Sequence, residues 1–145
     1  MGYVKIWIHL VWTTKNREPF LRREIRQPVF NHIRENAKEK GIYLDSINGY
    51  LDHVHCLISM SPVQSIDKIV MLIKGESSFW VNRTLQPAKR FEWQKEYFAL
   101  SVSESVLGRV RNYIRRQEAH HRKKSWDEEC QEFIRKYGFS AFVSG

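Results

Sequence analysis

The stretch that decides the fold is "IYLDSINGYLDHVHCLISM", residues 42–60, where two apolar runs follow each other closely. Both runs have the length of β-strands and are rich in residues that favour strands. They predict an antiparallel pair of strands in the middle of the chain. The turn between them lies either around Asn48-Gly49 or at Asp52, and the residue pattern leaves both positions open.

The second run carries His53 and His55 with a single valine between them. Successive side chains of an extended chain alternate between faces, so these two imidazoles point the same way. Two imidazoles at this spacing can converge on one metal ion. The same spacing also describes two half-buried strand histidines, and the dipeptide spacing alone does not decide between the two interpretations.

Flanking segments complete the predicted sheet and cover it with helices. Residues 3–14 and 96–103 are two further strand-like runs. One helix is predicted within residues 20–41, where Pro28 marks either a late start or a kink. A second helix is predicted to follow Ser65, which is a suitable N-cap.

Two more helices are predicted in the C-terminal part of the chain. One covers residues 105 to about 121, and the other begins at Ser125, which forms a capping box with Glu128, and ends at Gly138. The order β-α-β-β-α-β followed by helices predicts an α+β protein with a ferredoxin-like (RRM-like) antiparallel sheet. Residues 1–145 are of a length that suits a single domain.

The apolar residues and the cysteines predict a cytoplasmic protein. The apolar start of the chain is interrupted by Lys5 and His9, and no run approaches the roughly 18 apolar residues of a membrane span. We therefore expect neither a membrane span nor a signal peptide. Cys56 and Cys130 lie far apart and form no CxxC motif, which is typical of reduced thiols in a cytoplasm.

The charge distribution points to a polyanionic partner. The chain has 24 Lys and Arg against 16 Asp and Glu, a net charge of +8. Residues 105–124, "SVLGRVRNYIRRQEAHHRKK", contain seven Lys or Arg and one acidic residue. A charged run is usually a solvated face, but one so unbalanced repels itself unless a polyanion is bound. Nucleic acid is the expected partner, ahead of an anionic membrane surface.

This basic segment also carries Tyr113 and Gln117, which are four residues apart and therefore lie on one face of a helix. A tyrosine hydroxyl is a weak nucleophile at neutral pH, since its pKa is about 10. It becomes useful when a cation polarises the phosphodiester that it attacks. The amide oxygen of Gln117 can join two imidazoles as a ligand of a hard divalent ion.

At this point the sequence resembles the single-tyrosine HUH transposases of the insertion-sequence-200/605 type. The resemblance starts from "HVH" at residues 53–55 and "VRNYIRRQEAHHRKK" at residues 110–124. Three further segments match the family's first strand and loop, second helix and last strand: "HLVWTTKNREPFL" (9–21), "KGESSFWVN" (74–82) and "WQKEYFALSVSES" (93–105). The joint occurrence of all five segments is specific, whereas each alone is a weak signal.

The resemblance implies a role for each matching residue. Tyr113 is the nucleophile, and His53, His55 and Gln117 bind a divalent ion, Mg²⁺ or Mn²⁺. On this resemblance we expect an enzyme that cuts and rejoins single-stranded DNA at hairpins through a 5′-phosphotyrosine intermediate. We also expect a homodimer, and the resemblance favours sites in which the tyrosine of one subunit meets the histidines of the other over sites within one subunit. The expected phosphate contacts are Arg111, Arg115, Arg116, Lys123 and Lys124.

Other polar residues near these motifs receive plainer interpretations. We expect His9 to be structural. His120 and His121 could be spare metal ligands, since His120 lies one turn beyond Gln117, but we expect them instead to be polar residues that face DNA. Asp52 adjoins the histidine pair, but in a regular strand it points to the opposite face, so it is not counted as a ligand.

Three alternative functions remain at this stage. The chain could be a domesticated relative of the REP-associated transposases that processes palindromes of its host. It could be a non-catalytic RRM-like nucleic-acid-binding module, although "HVHCLIS" lacks the paired aromatics on which such modules stack bases. It could also be a small His-dependent metal hydrolase, which would leave Tyr113 and the basic helix without a role.

Overall fold

The computed structural model describes residues 2–121 and 125–137, and in these ranges it contains four strands and five α-helices. The strands are β1 (Ile6–Thr13), β2 (Tyr43–Gly49), β3 (His53–Met60) and β4 (Phe98–Val102). The helices are α1 (Arg23–Glu39), α2 (Ile66–Trp80), α3 (Leu107–Arg115), α4 (Gln117–His121) and α5 (Trp126–Tyr137).

The strands form one antiparallel sheet in the order β2-β3-β1-β4. The two central strands are thus β3 and β1, and the helices α1 and α2 connect neighbours in the chain order β-α-β-β-α-β. This is the ferredoxin-like arrangement with additional C-terminal helices, so the predicted fold class is confirmed.

One face of the sheet packs against α1 and α2. Strict alternation along the central strands sends every second side chain to this face, where it enters the main apolar core. The contributing strand residues are Ile8, Leu10, Trp12, Val54, Cys56 and Ile58. Helix α1 adds Phe30 and helix α2 adds Ile73 to the same core, which explains why the hydrophobic stripes of both helices face inward.

The opposite face of the sheet is covered by α3. Leu107 and Ile114 of this helix pack on Trp7 of β1 and Leu57 of β3. Because both faces are covered, seven of the eight residues of β3 are buried. Polar residues of β3 that point towards α3 therefore lie in an enclosed space between sheet and helix.

The turn between β2 and β3 consists of residues 50–52, so of the two predicted positions the one at Asp52 is correct. Helix α1 begins at Arg23, five residues before Pro28, and Pro28 therefore does not mark the start of the helix. Ser65 caps α2 as predicted, since its Oγ accepts a hydrogen bond of 3.2 Å from the backbone N of Lys68.

The predicted basic helix at residues 105–121 is divided in the structure. A 3₁₀ turn, Glu104–Val106, leads into α3, and Arg116 separates α3 from α4. Helical hydrogen bonds continue across this break, because Arg116 N donates to Asn112 O at 3.1 Å and His120 N donates to Arg116 O at 2.9 Å. The segment therefore changes local geometry without reversing direction.

Helix α5 begins as the capping box predicts. The backbone N of Glu128 donates to Ser125 Oγ at 3.2 Å, and this hydroxyl donates to the Glu128 carboxylate at 3.3 Å. The predicted end of the helix at Gly138 lies outside the described residues. Within the described residues, no helix is both long enough and apolar enough to cross a membrane.

Lys74 of α2 ties the segment before β4 to the rest of the fold. Its ammonium group donates to three successive backbone carbonyls, those of Gln94, Lys95 and Glu96, at 2.6, 2.9 and 3.1 Å. The ammonium also lies over the ring of Trp12, 5.7 Å from its centroid. Burial lowers the pKa of Lys74 to about 8, so the group is still mostly protonated at pH 7.

A matched pair of glycine substitutions tests the turn that leads into β3. A Cβ on Gly49 would lie 2.1 Å from the backbone oxygen of His53, whereas a Cβ on Gly75 in α2 would meet nothing within 4 Å. We expect Gly49→Ala to lower the free energy of unfolding by about 1–3 kcal/mol, because backbone must move to make room. Gly75→Ala should raise it by up to about 1 kcal/mol through helix propensity. Urea denaturation of both variants measures the difference, and equal stabilities would contradict this account of the turn.

Candidate functional site

His53 and His55 lie side by side between the sheet and the C-terminal helices. They project from the same face of β3 and pair with Thr13 and Val11 of β1. Both side chains are fully buried, and their ring centroids are 5.2 Å apart. The structure therefore brings the two predicted histidines together on one face, as the alternation of a strand requires.

The Nδ1 atom of each imidazole is held by a neighbouring side chain. His53 Nδ1 lies 2.9 Å from Asp52 Oδ1, and His55 Nδ1 lies 2.9 Å from His9 Nε2. A carboxylate at Nδ1 favours the tautomer with the proton on that atom and leaves the lone pair of the imidazole on Nε2. The two contacts thus turn the Nε2 side of both rings towards the helices.

Burial lowers the pKa of two histidines of the site. The pKa falls to about 4 for His55 and to about 3 for His9, and neighbouring imidazoles contribute to both shifts. The carboxylate of Glu129 acts in the opposite direction but does not outweigh burial. Both rings are therefore uncharged at pH 7, and an uncharged imidazole is the form that binds a metal ion.

Glu129 of α5 is the acidic group of the site. Its side chain is fully buried, and its carboxylate lies 3.0 Å from His55 Nε2 and 3.6 Å from His53 Nε2. It also contacts His121 Nε2 and accepts a hydrogen bond from the hydroxyl of Tyr113. Burial would raise the pKa of Glu129, but the hydrogen bonds from His121 and His55 outweigh it and hold the pKa well below its usual range.

Tyr113 and Gln117 reach the same site from α3 and α4. The ring of Tyr113 lies 5.4 Å from that of His55, and Gln117 Oε1 lies 3.1 Å from His53 Nε2. Gln117 is fully buried, and its amide donates to the carbonyl of Tyr113 at 3.4 Å. Burial raises the pKa of the Tyr113 phenol, and the Glu129 carboxylate raises it further.

Polar contacts with β2 fix α3 over the sheet. Arg111 forms a two-bond ion pair with Asp45, with both N–O distances at 3.0 Å. Asn48 Nδ2 donates to the carbonyl of Arg115 at 3.0 Å, which satisfies a free carbonyl at the end of the helix. Together with the apolar contacts of Leu107 and Ile114, these bonds place Tyr113 next to the histidines.

The predicted DNA-contacting residues fall into three groups. Arg111 faces the sheet edge and is engaged with Asp45, while Arg115 and Arg116 are exposed at the junction of α3 and α4. Lys123 and Lys124 lie outside the described residues.

The donor atoms of this site fit a divalent ion. The Nε2 atoms of His53 and His55 and the amide oxygen of Gln117 lie close together. Gln117 Oε1 is 3.1 Å from His53 Nε2, and the two Nε2 atoms are 3.6 and 3.0 Å from the Glu129 carboxylate. Imidazole with oxygen donors is a common ligand set for divalent metals, and amide or carboxylate oxygen suits Mg²⁺ and Mn²⁺. The carboxylate–histidine contact between Asp52 and His53 is the outer-shell arrangement typical of metal-binding histidines.

Four residues of the site were not predicted to take part. His9 supports His55, and Asp52 supports His53 because it precedes β3 and does not follow the alternation of the strand. The expectation that His121 faces DNA is wrong, since its side chain is 2% exposed and packs against Glu129 and the His53 ring. Glu129 was not predicted from the sequence as a residue of the site.

The sequence does contain a signal for Glu129. Apolar side chains recur along α5 at positions 126, 130, 133 and 137, and position 129 lies on the same stripe. An acidic residue on an apolar stripe is unusual, because a buried carboxylate requires a partner.

Comparison with known proteins identifies the class to which this fold and site belong. The family model described as IS200-like transposase matches residues 3–117. The ISDra2 transposase TnpA of Deinococcus radiodurans is 30% identical over 122 residues, which cover 80% of this chain and 87% of that protein.

Two solved transposase structures have a similar fold. The crystal structure of a candidate transposase from Deinococcus radiodurans R1 superposes with a TM-score of 0.65 at 28% identity, covering 81% of this chain and 95% of that one. The structure of a REP-associated tyrosine transposase bound to a REP hairpin gives a TM-score of 0.61 at 14% identity and covers 83% and 72% of the two chains. At 14% identity the likeness concerns the fold alone.

These matches define a transposase, an enzyme that cuts and rejoins DNA. The chain belongs to the IS200-like transposase family, and the resemblance predicted from its motifs is confirmed.

The contact between Asp52 and His53 gives a testable prediction. Asp52→Asn replaces a charged acceptor at His53 Nδ1 by a neutral one, so the imidazole should be oriented less firmly for binding through Nε2. We expect the affinity for Mn²⁺ to fall by about 10–100-fold, as is typical when an outer-shell partner is lost. Isothermal titration calorimetry measures the affinity, and the exposed Asp67 provides the control variant Asp67→Asn. Equal Mn²⁺ affinities for both variants would show that Asp52 has no part in binding.

Proposed function

We propose that this chain cuts and rejoins single-stranded DNA by transferring a phosphodiester to Tyr113, with a divalent ion bound by His53, His55 and Gln117. The observation that carries the proposal is the position of the Tyr113 hydroxyl. It lies in the same buried space as the two Nε2 atoms of His53 and His55, where a phosphate that contacts the ion would also meet the phenol.

The reaction exchanges one phosphodiester bond for another. The Tyr113 oxygen attacks the phosphorus and gives up its proton, the bond from phosphorus to the 3′ oxygen breaks, and the leaving 3′ oxygen takes up a proton to become a free 3′ hydroxyl. A 5′-phosphotyrosine results. A second 3′ hydroxyl can attack this ester and rejoin the strands without an external energy source, because one phosphate ester has replaced another.

The surroundings of the phenol support a role for a cation in the proposed reaction. Burial and the nearby carboxylate raise the pKa of Tyr113, so the phenolate is disfavoured as long as the site carries only negative charge. A divalent ion held by His53, His55 and Gln117 would supply positive charge that lowers the barrier to attack and polarises the scissile phosphate. Mg²⁺ and Mn²⁺ are the proposed ions.

The DNA partner is proposed to be a hairpin with single-stranded flanks. The solved REP-associated tyrosine transposase of the same fold is bound to a REP hairpin, which supports a hairpin partner here. Arg115 and Arg116 are exposed close to Tyr113 and would contact phosphates, with Lys123 and Lys124 following in the chain. Arg111 would contribute less, because Asp45 already binds its guanidinium.

The fold weighs against a base-stacking RNA-binding module. Such modules use aromatic side chains on an open sheet surface. Here α3 covers that surface, and Trp7 is 8% exposed beneath Leu107 and Ile114.

A single-atom substitution tests the nucleophile. Tyr113→Phe removes the hydroxyl and little volume, so folding and hairpin binding should persist while the covalent protein–DNA adduct disappears. Tyr97→Phe is the matched control, because its hydroxyl lies on the surface beside Asp67. A denaturing gel after incubation with hairpin DNA and Mn²⁺ detects the adduct. An adduct that still forms with Tyr113→Phe would assign the nucleophile to another residue.

The assembly of the site can be tested by mixing inactive proteins. Within one chain Tyr113 already contacts its own Glu129 and lies beside its own His55. In place of the shared site that the resemblance implies, we therefore expect a complete site in each subunit of the proposed homodimer. Subunit exchange between Tyr113→Phe and His55→Ala should then recover no adduct. Recovery would show instead that the tyrosine and the histidines come from different subunits.

A further inference from the structure

We propose that Glu129 is a fourth protein ligand of the divalent ion, so that helix α5 completes the metal site formed by the sheet and by α3 and α4. The inference rests on the proposed metal site at His53, His55 and Gln117. It adds a residue that lies beyond the part of the chain matched by the family model, residues 3–117.

The first support is geometric. One ligand atom of each of His53, His55 and Glu129 can be chosen so that all three lie within 4.8 Å of one another. Bonds to Mg²⁺ are about 2.0–2.1 Å long, so ligands on opposite sides of one ion are roughly 4 Å apart. The three groups therefore need only small adjustments to share an ion, and the two imidazoles already direct Nε2 at the carboxylate at 3.0 and 3.6 Å.

The second support is the burial of charge. The Glu129 side chain is fully buried, and an isolated carboxylate pays a large desolvation cost in such a place. The groups that contact it are the imidazoles of His53, His55 and His121 and the phenol of Tyr113. His55, His121 and Tyr113 offer hydrogen bonds to the carboxylate, whereas His53 Nε2, at 3.6 Å, lies beyond hydrogen-bonding distance. A divalent cation among these groups would supply the compensating positive charge.

The third support is that α5 is anchored so that Glu129 faces the histidines. Ser125 caps the helix one turn before Glu129, and the backbone N of Glu129 donates to the Ser125 carbonyl at 3.1 Å. Asp127 forms an ion pair with Arg17, which follows β1. These contacts place the first turn of α5 against the site independently of the carboxylate itself.

A carboxylate that binds the ion would also link the ion to the nucleophile. The Tyr113 hydroxyl donates to Glu129, so the position of the phenol depends on the group that we assign to the metal. Binding of the ion should consequently order α5 together with Tyr113.

The test measures Mn²⁺ binding by titration calorimetry in the full chain, without DNA. Glu129→Gln keeps size and hydrogen bonding but removes the charge, and we expect its affinity for Mn²⁺ to fall by at least about tenfold, a loss that even outer-shell changes can cause. Glu128→Gln is the matched control, because that residue is exposed and glutamine also fits a capping box. Its affinity should equal that of the unaltered chain.

Two further measurements keep the result decisive. Thermal unfolding of the metal-free variants shows whether Glu129→Gln folds. If it does not, Glu129→Asp takes its place: this variant retains the charge on a shorter side chain, and its affinity for Mn²⁺ should be lower than that of the unaltered chain. Hydrogen exchange of residues 126–137 should slow on addition of Mn²⁺ in the unaltered chain and in Glu128→Gln, but not in Glu129→Gln.

The outcomes separate this inference from the proposed function. Equal Mn²⁺ affinities for the unaltered chain, Glu129→Gln and Glu129→Asp would overturn the assignment of Glu129 and leave the three-residue metal site intact. Tighter binding by Glu129→Gln would mean that the carboxylate blocks the ion, which also overturns the assignment. An unaltered chain that binds no Mn²⁺ would overturn both the assignment and the proposed metal site.

Discussion

The arrangement depends on the burial of both faces of the central strand β3. Val54, Cys56 and Ile58 enter the core beneath α1 and α2, while His53 and His55 face α3. A shift of one residue in the register would move the imidazoles into the apolar core and the apolar residues into the site. The hydrophobic effect therefore holds the register that positions the histidines, although the histidines themselves gain nothing from it.

The enclosed space beside β3 makes every polar contact in the site costly to lose. In surroundings of low polarity, hydrogen bonds and charges interact more strongly than in water, and an unmatched polar group is correspondingly expensive. Asp52 and His9 hold the outer nitrogens of the imidazoles, and Gln117 and Glu129 meet the inner side. The same burial that lowers the pKa of His9 and His55 raises that of Tyr113, so it disfavours the charged form of all three groups.

Much of this could be predicted from the sequence, because periodicity determines which residues share a face. Local patterns predict the order of strands and helices along the chain, the placement of His53 beside His55 and the caps at Ser65 and Ser125. The break at Arg116 did not, since the basic helix keeps its spacing and its hydrogen bonds across that residue. The partner of Arg111 was also beyond local patterns, because Asp45 lies where the pairing of β2 with β3 shifts register between Leu44 and Ser46. Contacts between α5 and the sheet join residues more than seventy positions apart, and no single-sequence pattern specifies them.

The ammonium group of Lys74 constrains which residues this position accepts. It donates to three consecutive backbone carbonyls, and an ammonium group has three N–H donors that point in different directions. Arginine carries the same charge, but its donors lie in one plane and suit the flat geometry of a carboxylate or phosphate rather than a ring of carbonyls. Lys74 thus takes the place that a bound cation could fill among these carbonyls. Arginine is ordinarily regarded as a conservative substitution for lysine, but here it would keep the charge and lose the three hydrogen bonds.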